Sequence, residues 1–264
     1  MTAIRWATLI LLAATACSTA TSAPTSSAFP APTSTVSSPT TTAVVPTTSL
    51  PNATTTTLAE LPLAGRTVVI DPGHNGMNRA HPEEINQLVD IGNGTKACNT
   101  TGTATADGYA EPEFTWALAQ QVAALLETEG ASVVLTRVDN EGWGPCIDER
   151  ADIGNRSGAD AVISIHADGG PADGRGFHII HPAELPSLTD DIYEDSLRLA
   201  RAMHRAYMAT SMPIADYVAV GGFSERSDLG GLNLSDIPAI FLEAGNMRNE
   251  TDADLLADPT FQET

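Results

Sequence analysis

Two histidines and a glutamate occupy comparable places in this 264-residue chain. His74 follows the run Thr67-Val-Val-Ile70, His166 follows Ala161-Val-Ile-Ser-Ile165, and Glu243 follows Ala239-Ile-Phe-Leu242. Each run is short, apolar and largely β-branched, as buried strands are. Turn residues come close behind: Asp71-Pro72-Gly73, Gly169-Gly170-Pro171 and Gly245. Pro72 has no ladder donor and Gly73 permits a tight turn, so the first strand is expected to stop there. A fourth group comes from a helix entrance at Glu111-Pro112-Glu113-Phe114, with Pro112 in the first turn. Either Glu111 or Glu113 could project from that end. The helix dipole favours a carboxylate there by ~0.3–1 kcal/mol whatever its task, so the residues alone do not separate them. Two imidazoles and one carboxylate are the donor set of a tetrahedral zinc site whose fourth position is open to water. Glu243 then remains to take a proton from that water and pass it to a leaving group. Asp71 is expected to steady the other nitrogen of His74, and Arg150 to form a buried or half-buried structural ion pair.

For these groups to meet, their strands must lie in one sheet, because parallel sheets gather their sites at the carboxyl ends of the strands. The alternation of strand and helix patterns predicts a single α/β domain with a mostly parallel sheet flanked by helices. A helix from Glu111 to about Glu129 has Phe114, Leu118, Val122, Leu125 and Leu126 at helical spacing, and Gly130 ends it. Ser132–Thr136 and Gly176–His181 read as further strands, and Ile147–Asn155 as a short helix. Asp190–Thr210 reads as a long helix with Ile192, Leu197, Leu199, Ala200, Met203 and Tyr207 inward. Asn75–Tyr109 is a polar, ordered excursion, and Ser224–Asn233 a loop over the site. Thr251 or Asp252 caps a last short helix. His178 and His181 fall off the pattern and read as packing or rim residues, and His204 as a surface or half-buried one.

The chain carries 33 acidic against 13 basic residues, a formal net charge of -20, with Lys96 its only lysine. That balance argues against electrostatic binding of nucleic acid or anionic lipid headgroups. Residues 1–17 read as a signal peptide, with an apolar segment too short to span a bilayer. It ends at Ala14-Thr15-Ala16-Cys17, a lipobox-like stretch that predicts acylation of Cys17 and membrane anchoring. Residues 18–60 are rich in Thr, Ser, Pro and Ala, with no charge from Ser18 to Ala59, and read as a disordered linker. Residues 61–264 form the domain. In an exported protein its two cysteines, Cys98 and Cys146, are expected to pair, since no CxxC spacing supports a metal site.

The segments Val69-Ile-Asp-Pro-Gly-His74, the Glu111 helix entrance, Ser164-Ile-His-Ala-Asp168 and Phe241-Leu-Glu-Ala-Gly-Asn246 together resemble the zinc-dependent N-acetylmuramoyl-L-alanine amidases of the Amidase_3 type. The likeness is strongest to the compact actinobacterial branch, which shares the cysteine-bearing excursion and the stretch Gly144-Pro-Cys-Ile-Asp-Glu-Arg150. It covers about Arg66 to the C-terminus. The resemblance implies one Zn2+ per domain bound by His74, Glu111 and His166, with Glu243 catalytic, and it selects Glu111 over Glu113 through the register of Phe114. It implies peptidoglycan or muramyl peptides as substrate, cut between the lactyl group of N-acetylmuramic acid and L-alanine. Asn246, Arg226 and Asn233 are expected to line the groove as substrate contacts. A monomer in the cell envelope is expected, as an anchored lipoprotein or a secreted enzyme. The chain stops at Thr264, where family members usually continue into a longer helix, and shows no wall-binding repeat. Pro182–Glu194 is too short for the regulatory helix that blocks some relatives, so an open site is expected. The alternatives are an exported zinc peptidase and a non-catalytic wall-binding protein on the same fold. The presence of all four site residues speaks against the second.

Overall fold

The computed structural model describes residues 61–264. The signal-peptide and linker readings and Cys17 lie outside the described residues. Six strands form the central sheet: β1 (Thr67–Pro72), β4 (Ser132–Leu135), β5 (Ala161–Asp168), β6 (His178–Pro182), β7 (Phe223–Arg226) and β8 (Ala239–Asn246), in the order β4-β1-β5-β8-β6-β7. The first four in that order are mutually parallel, whereas β6 pairs antiparallel with β8 and parallel with β7. The sheet is therefore mostly parallel, with one reversal at β8/β6.

Strand alternation divides the apolar residues from the chemical ones. Ile70, Ile163, Ile165, Ile240, Leu242 and Ile179 share one core cluster. That cluster includes Phe114, Ala119 and Leu126 from α2 (Glu111–Thr128), Leu199, Ala200 and Tyr207 from α4 (Tyr193–Tyr207), and Leu256 from α6 (Glu250–Ala257). The intervening positions, Asp71, Ser164, His166, Phe241, Glu243, Ile180 and His178, face the other way. There a smaller cluster joins Ile180 and Ala239 to Leu232 of α5 (Gly230–Asn233), and α3 (Ile147–Arg156) completes the set of helices described so far. The chain closes with α7 (Pro259–Gln262). Among the described residues no helix is long and apolar enough to cross a membrane.

The excursion between β1 and α2 holds a short α1 (Pro82–Ile85) and a small antiparallel pair, β2 (Leu88–Asp90) with β3 (Thr95–Ala97). A disulfide joins Cys98 to Cys146 at the start of α3, reinforced by the Ile147 amide donating to the Cys98 carbonyl at 2.8 Å.

Several expectations need correction. β1 runs through Asp71-Pro72, because a strand's last residue needs no ladder donor and the Pro72 carbonyl is taken by two arginines. β5 and β8 likewise extend past His166 and Glu243, so both side chains stand within their strands rather than beyond them. Ser224–Asn233 is not one loop but the end of β7 followed by α5. Asn249, not Thr251 or Asp252, caps α6 by accepting from the amides of both. Asp252 is instead buried and paired with Arg175. Leu125 is 54% exposed, since the inner face of α2 uses Thr115 and Ala119.

Candidate active site

His74 sits one residue beyond Gly73 in a left-handed backbone conformation, with φ of 61°. For a residue with a Cβ that conformation costs roughly 1–2 kcal/mol, so something must hold the turn. Arg150 does so. From α3 it donates to the carbonyls of Pro72 at 2.7 Å, His74 at 2.6 Å, Gly144 at 3.3 Å and Pro145 at 3.0 Å, and to Asp71 at 2.6 Å. Burial pushes the Asp71 carboxyl up, but the charge of Arg150 and hydrogen bonds from Ser164, Thr136 and Arg150 outweigh it and hold its pKa at about 2. The expected Asp71–His74 contact is thus replaced by a buried ion pair with Arg150. The group that orients His74 is the Thr100 carbonyl, 3.1 Å from Nδ1. A carbonyl only accepts, so Nδ1 carries a proton and Nε2 is the ring atom turned to Glu111.

Glu111 is buried at the entrance of α2. Its Oε2 accepts from the Thr103 amide at 2.9 Å and its Oε1 from the Ala167 amide at 3.2 Å. Oε1 also lies 3.1 Å from His74 Nε2 and 3.0 Å from His166 Nδ1. Burial raises the carboxyl, but the two imidazoles more than offset this and hold Glu111 well below the usual carboxylate range. Glu113, two residues on, is exposed. The Thr115 hydroxyl donates to the Gly73 carbonyl at 2.8 Å, and Arg137 bridges the Pro72 and Pro112 carbonyls at 3.0 Å each, tying α2 to the His74 turn. Two glycines make room. A Cβ at Gly73 would come within 2.3 Å of the His166 ring, and one at Gly102 within 2.8 Å of Glu111 Oε2 and 3.0 Å of His74 Cδ2.

The donor set fits a small divalent cation. Donor atoms of His74, Glu111 and His166 all lie within 4.8 Å of one another. A tetrahedral zinc with bonds of about 2.0–2.1 Å separates its ligand atoms by about 3.3 Å. The two imidazole–carboxylate distances approach that value. His74 Nε2 and Glu111 Oε1 face each other as two lone-pair atoms that need a positive charge between them, which a proton or a bound cation would supply.

Glu243 lies in register with His166 on the neighbouring strand. Burial raises its carboxyl well above the ordinary range, the charges of Glu111 and Asp168 add to this, and Arg226 opposes it. Its Oε2 is buried without a hydrogen-bond partner among the described residues. Arg226 lines the same cleft, together with Lys96, Thr101, Gly169 and Leu229, and its Nε and Nη2 are held by Asp228 at 2.6 and 2.8 Å. Asn246 and Asn233 do not line it. Asn246 is fully buried, donating to the Pro171 and Gly174 carbonyls, and Asn233 is fully buried, donating to the Ile91 and Ser227 carbonyls. Both build the walls rather than face a ligand. Of the residues that sequence reasoning missed, Thr103 and Ala167 act through backbone amides that every residue has, and Thr100 through its carbonyl, with its hydroxyl 3.2 Å from the same Nδ1 of His74. Only Gly102 left a trace, as a glycine in a polar loop.

A family model described as N-acetylmuramoyl-L-alanine amidase matches residues 68–264. An N-acetylmuramoyl-L-alanine amidase of Mycobacterium tuberculosis is 43% identical over 195 residues, which is 74% of this chain and 79% of that one. The crystal structure of an N-acetylmuramyl-L-alanine amidase from Mycobacterium smegmatis superposes with a TM-score of 0.71 at 40% identity, covering 76% of this chain and 91% of that one. The apo form of the corresponding Mycobacterium abscessus enzyme gives 0.71 at 43% identity, covering 76% and 92%.

Proposed function

The chain belongs to the N-acetylmuramoyl-L-alanine amidase family, and we propose that it hydrolyses the amide between the lactyl group of N-acetylmuramic acid and L-alanine in peptidoglycan or muramyl peptides. His74, Glu111 and His166 hold one zinc ion, and Glu243 is the base. The observation that carries this reading is the convergence of two imidazoles on one oxygen of Glu111, with a buried carboxyl, its Oε2 unpartnered, on the strand next to that of His166. Zinc bound there would supply a Lewis acid for the scissile carbonyl and acidify a water. Glu243 accepts a proton from the attacking water as its oxygen bonds to the carbonyl carbon. It returns that proton to the alanine nitrogen as the C–N bond breaks. A cation held by the three donors would offset the Glu111 charge that opposes ionisation of Glu243, which would suit Glu243 to both steps. The cleft, about 590 Å³, is of the size that holds small ligands, and Arg226 on its wall is the remaining substrate contact. Export, anchoring through Cys17 and work as a monomer in the cell envelope belong to the same proposal.

The experiment is zinc analysis with muramyl dipeptide digestion on wild type, Glu243→Gln and His166→Ala. Wild type should release new L-alanine amino termini. Glu243→Gln should keep zinc and lose about 10²–10⁴-fold in turnover, and His166→Ala should lose both. A His166→Ala protein that keeps zinc and activity would overturn the site. Cleavage between amino acids of free peptides, with muramyl dipeptide intact, would favour a zinc peptidase instead.

A further inference from the structure

The reversal of the sheet at β6 brings another imidazole beside the base. In register, His166 of β5 lies opposite Glu243 of β8, and Glu243 lies opposite His178 of β6. Directly opposed residues share a face and hold their Cβ atoms about 4.5–5.5 Å apart. His178 therefore flanks Glu243 on the side away from the three donors. It is 4% exposed, and its Nδ1, like Oε2 of Glu243, is buried with no hydrogen-bond partner among the described residues. A ring nitrogen can donate and a carboxylate oxygen can accept, so each of these two atoms could serve as the partner the other lacks. An unpartnered buried polar atom is costly, and a small side-chain rotation is the cheapest remedy. His181 on the same strand shows the contrast. It points to the opposite face, with Nδ1 3.0 Å from the Pro182 carbonyl and its ring 6.2 Å from that of Tyr193. Burial, with Arg226, outweighs the charge of Asp168 and lowers the pKa of His178. It therefore stays neutral and offers a donor without adding charge.

Resting on the amidase reading, we infer that His178 is a positioning residue for Glu243: a ring N–H donates to Oε2 and leaves Oε1 turned toward the attacking water. His178 touches neither substrate nor metal donors. Its loss should fall on kcat and spare substrate binding. A hydrogen bond to a charged group corresponds to a kcat effect of about 10- to 100-fold.

The test compares zinc-loaded wild type, His178→Leu and His178→Asn on muramyl dipeptide. His178→Leu should lose about 10- to 100-fold in kcat, with KM within about twofold and zinc content unchanged. His178→Asn, whose amide nitrogen reaches about as far as Nδ1, should recover most of the loss. Three outcomes overturn the inference: His178→Leu retains full kcat, the two variants fall alike, or the loss lies in KM. A second measurement does not depend on His178→Leu folding. The ring nitrogen resonances of His178 should move when Glu243 is changed to Ala, and resonances that stay put refute the bond. If wild type itself leaves muramyl dipeptide intact, the amidase reading fails, while the resonance measurement still decides the His178–Glu243 pair.

Discussion

Arg150→Met tests the idea that one buried guanidinium holds the turn bearing His74. Met keeps the apolar stem and removes every donor. Asp71 is left charged in a buried place, and the carbonyls of Pro72, His74, Gly144 and Pro145 each lose a partner. Breaking a buried pair by removing one member costs about 3–5 kcal/mol. The lowering of Asp71 from 3.8 to about 2 corresponds by itself to about 2 kcal/mol, which counts the ionised carboxylate but not the carbonyls. In a domain of this size each kcal/mol moves the melting midpoint by about 2–4 °C, so a drop of roughly 6–20 °C is expected. The pH dependence has a definite sign. Because the folded pKa is depressed, the stabilisation is fully present above the unfolded value near 3.8 and disappears as pH falls toward about 2. Urea unfolding between pH 7 and pH 3 should show wild type weakening over the acid end of that range and Arg150→Met weakening less. Adding Asp71→Asn should further destabilise wild type but partly rescue Arg150→Met, since the stranded charge is gone. A loss below about 1 kcal/mol at pH 7, well short of the broken-pair cost, or no rescue in the double variant, would refute the reasoning.

Gly102→Ala places a Cβ 2.8 Å from Glu111 Oε2 at a φ of +70°, so zinc affinity measured against a competing chelator should fall at least about tenfold. Gly94→Ala, with nothing within 4 Å, should be near neutral, and equal behaviour of the two would discredit the steric argument. Replacing both Cys98 and Cys146 with Ser opens a link spanning 48 residues and should cost about 4 kcal/mol on the loop-entropy model. Zinc should weaken as well, because Thr100 lies two residues from Cys98. A variant with unchanged unfolding midpoint and zinc affinity would show that the excursion holds itself in place.

The strands that carry the site were readable because β-branched runs and turn residues mark them, and the two faces follow from period-two alternation. The partners were not, since alternation says which way a side chain points and nothing about the neighbouring strand. That is why His178 reads as a packing residue in the sequence and as the neighbour of Glu243 in the sheet. Glu111 and Glu113 look alike in a first helical turn; the family resemblance picks Glu111, and the amides of Thr103 and Ala167 that hold it give the physical reason. Asn246 and Asn233 suggested ligand contacts because polar residues near a site do so. Buried carbonyls needed donors, and that demand took both side chains. Asp71 was drawn to Arg150, 79 residues away in sequence, a pairing that local reasoning about His74 had no means to find.

The three donors come from stretches of chain that meet only when β1, α2 and β5 are assembled. An unfolded or half-assembled chain offers them singly, so a cation that binds the triad binds the native state almost exclusively. Its free concentration then sets how often the domain opens, by roughly 4 kcal/mol at a thousandfold excess over its dissociation constant. Scarcity of the ion would thus be felt twice, as idle molecules and as molecules that unfold and are degraded sooner.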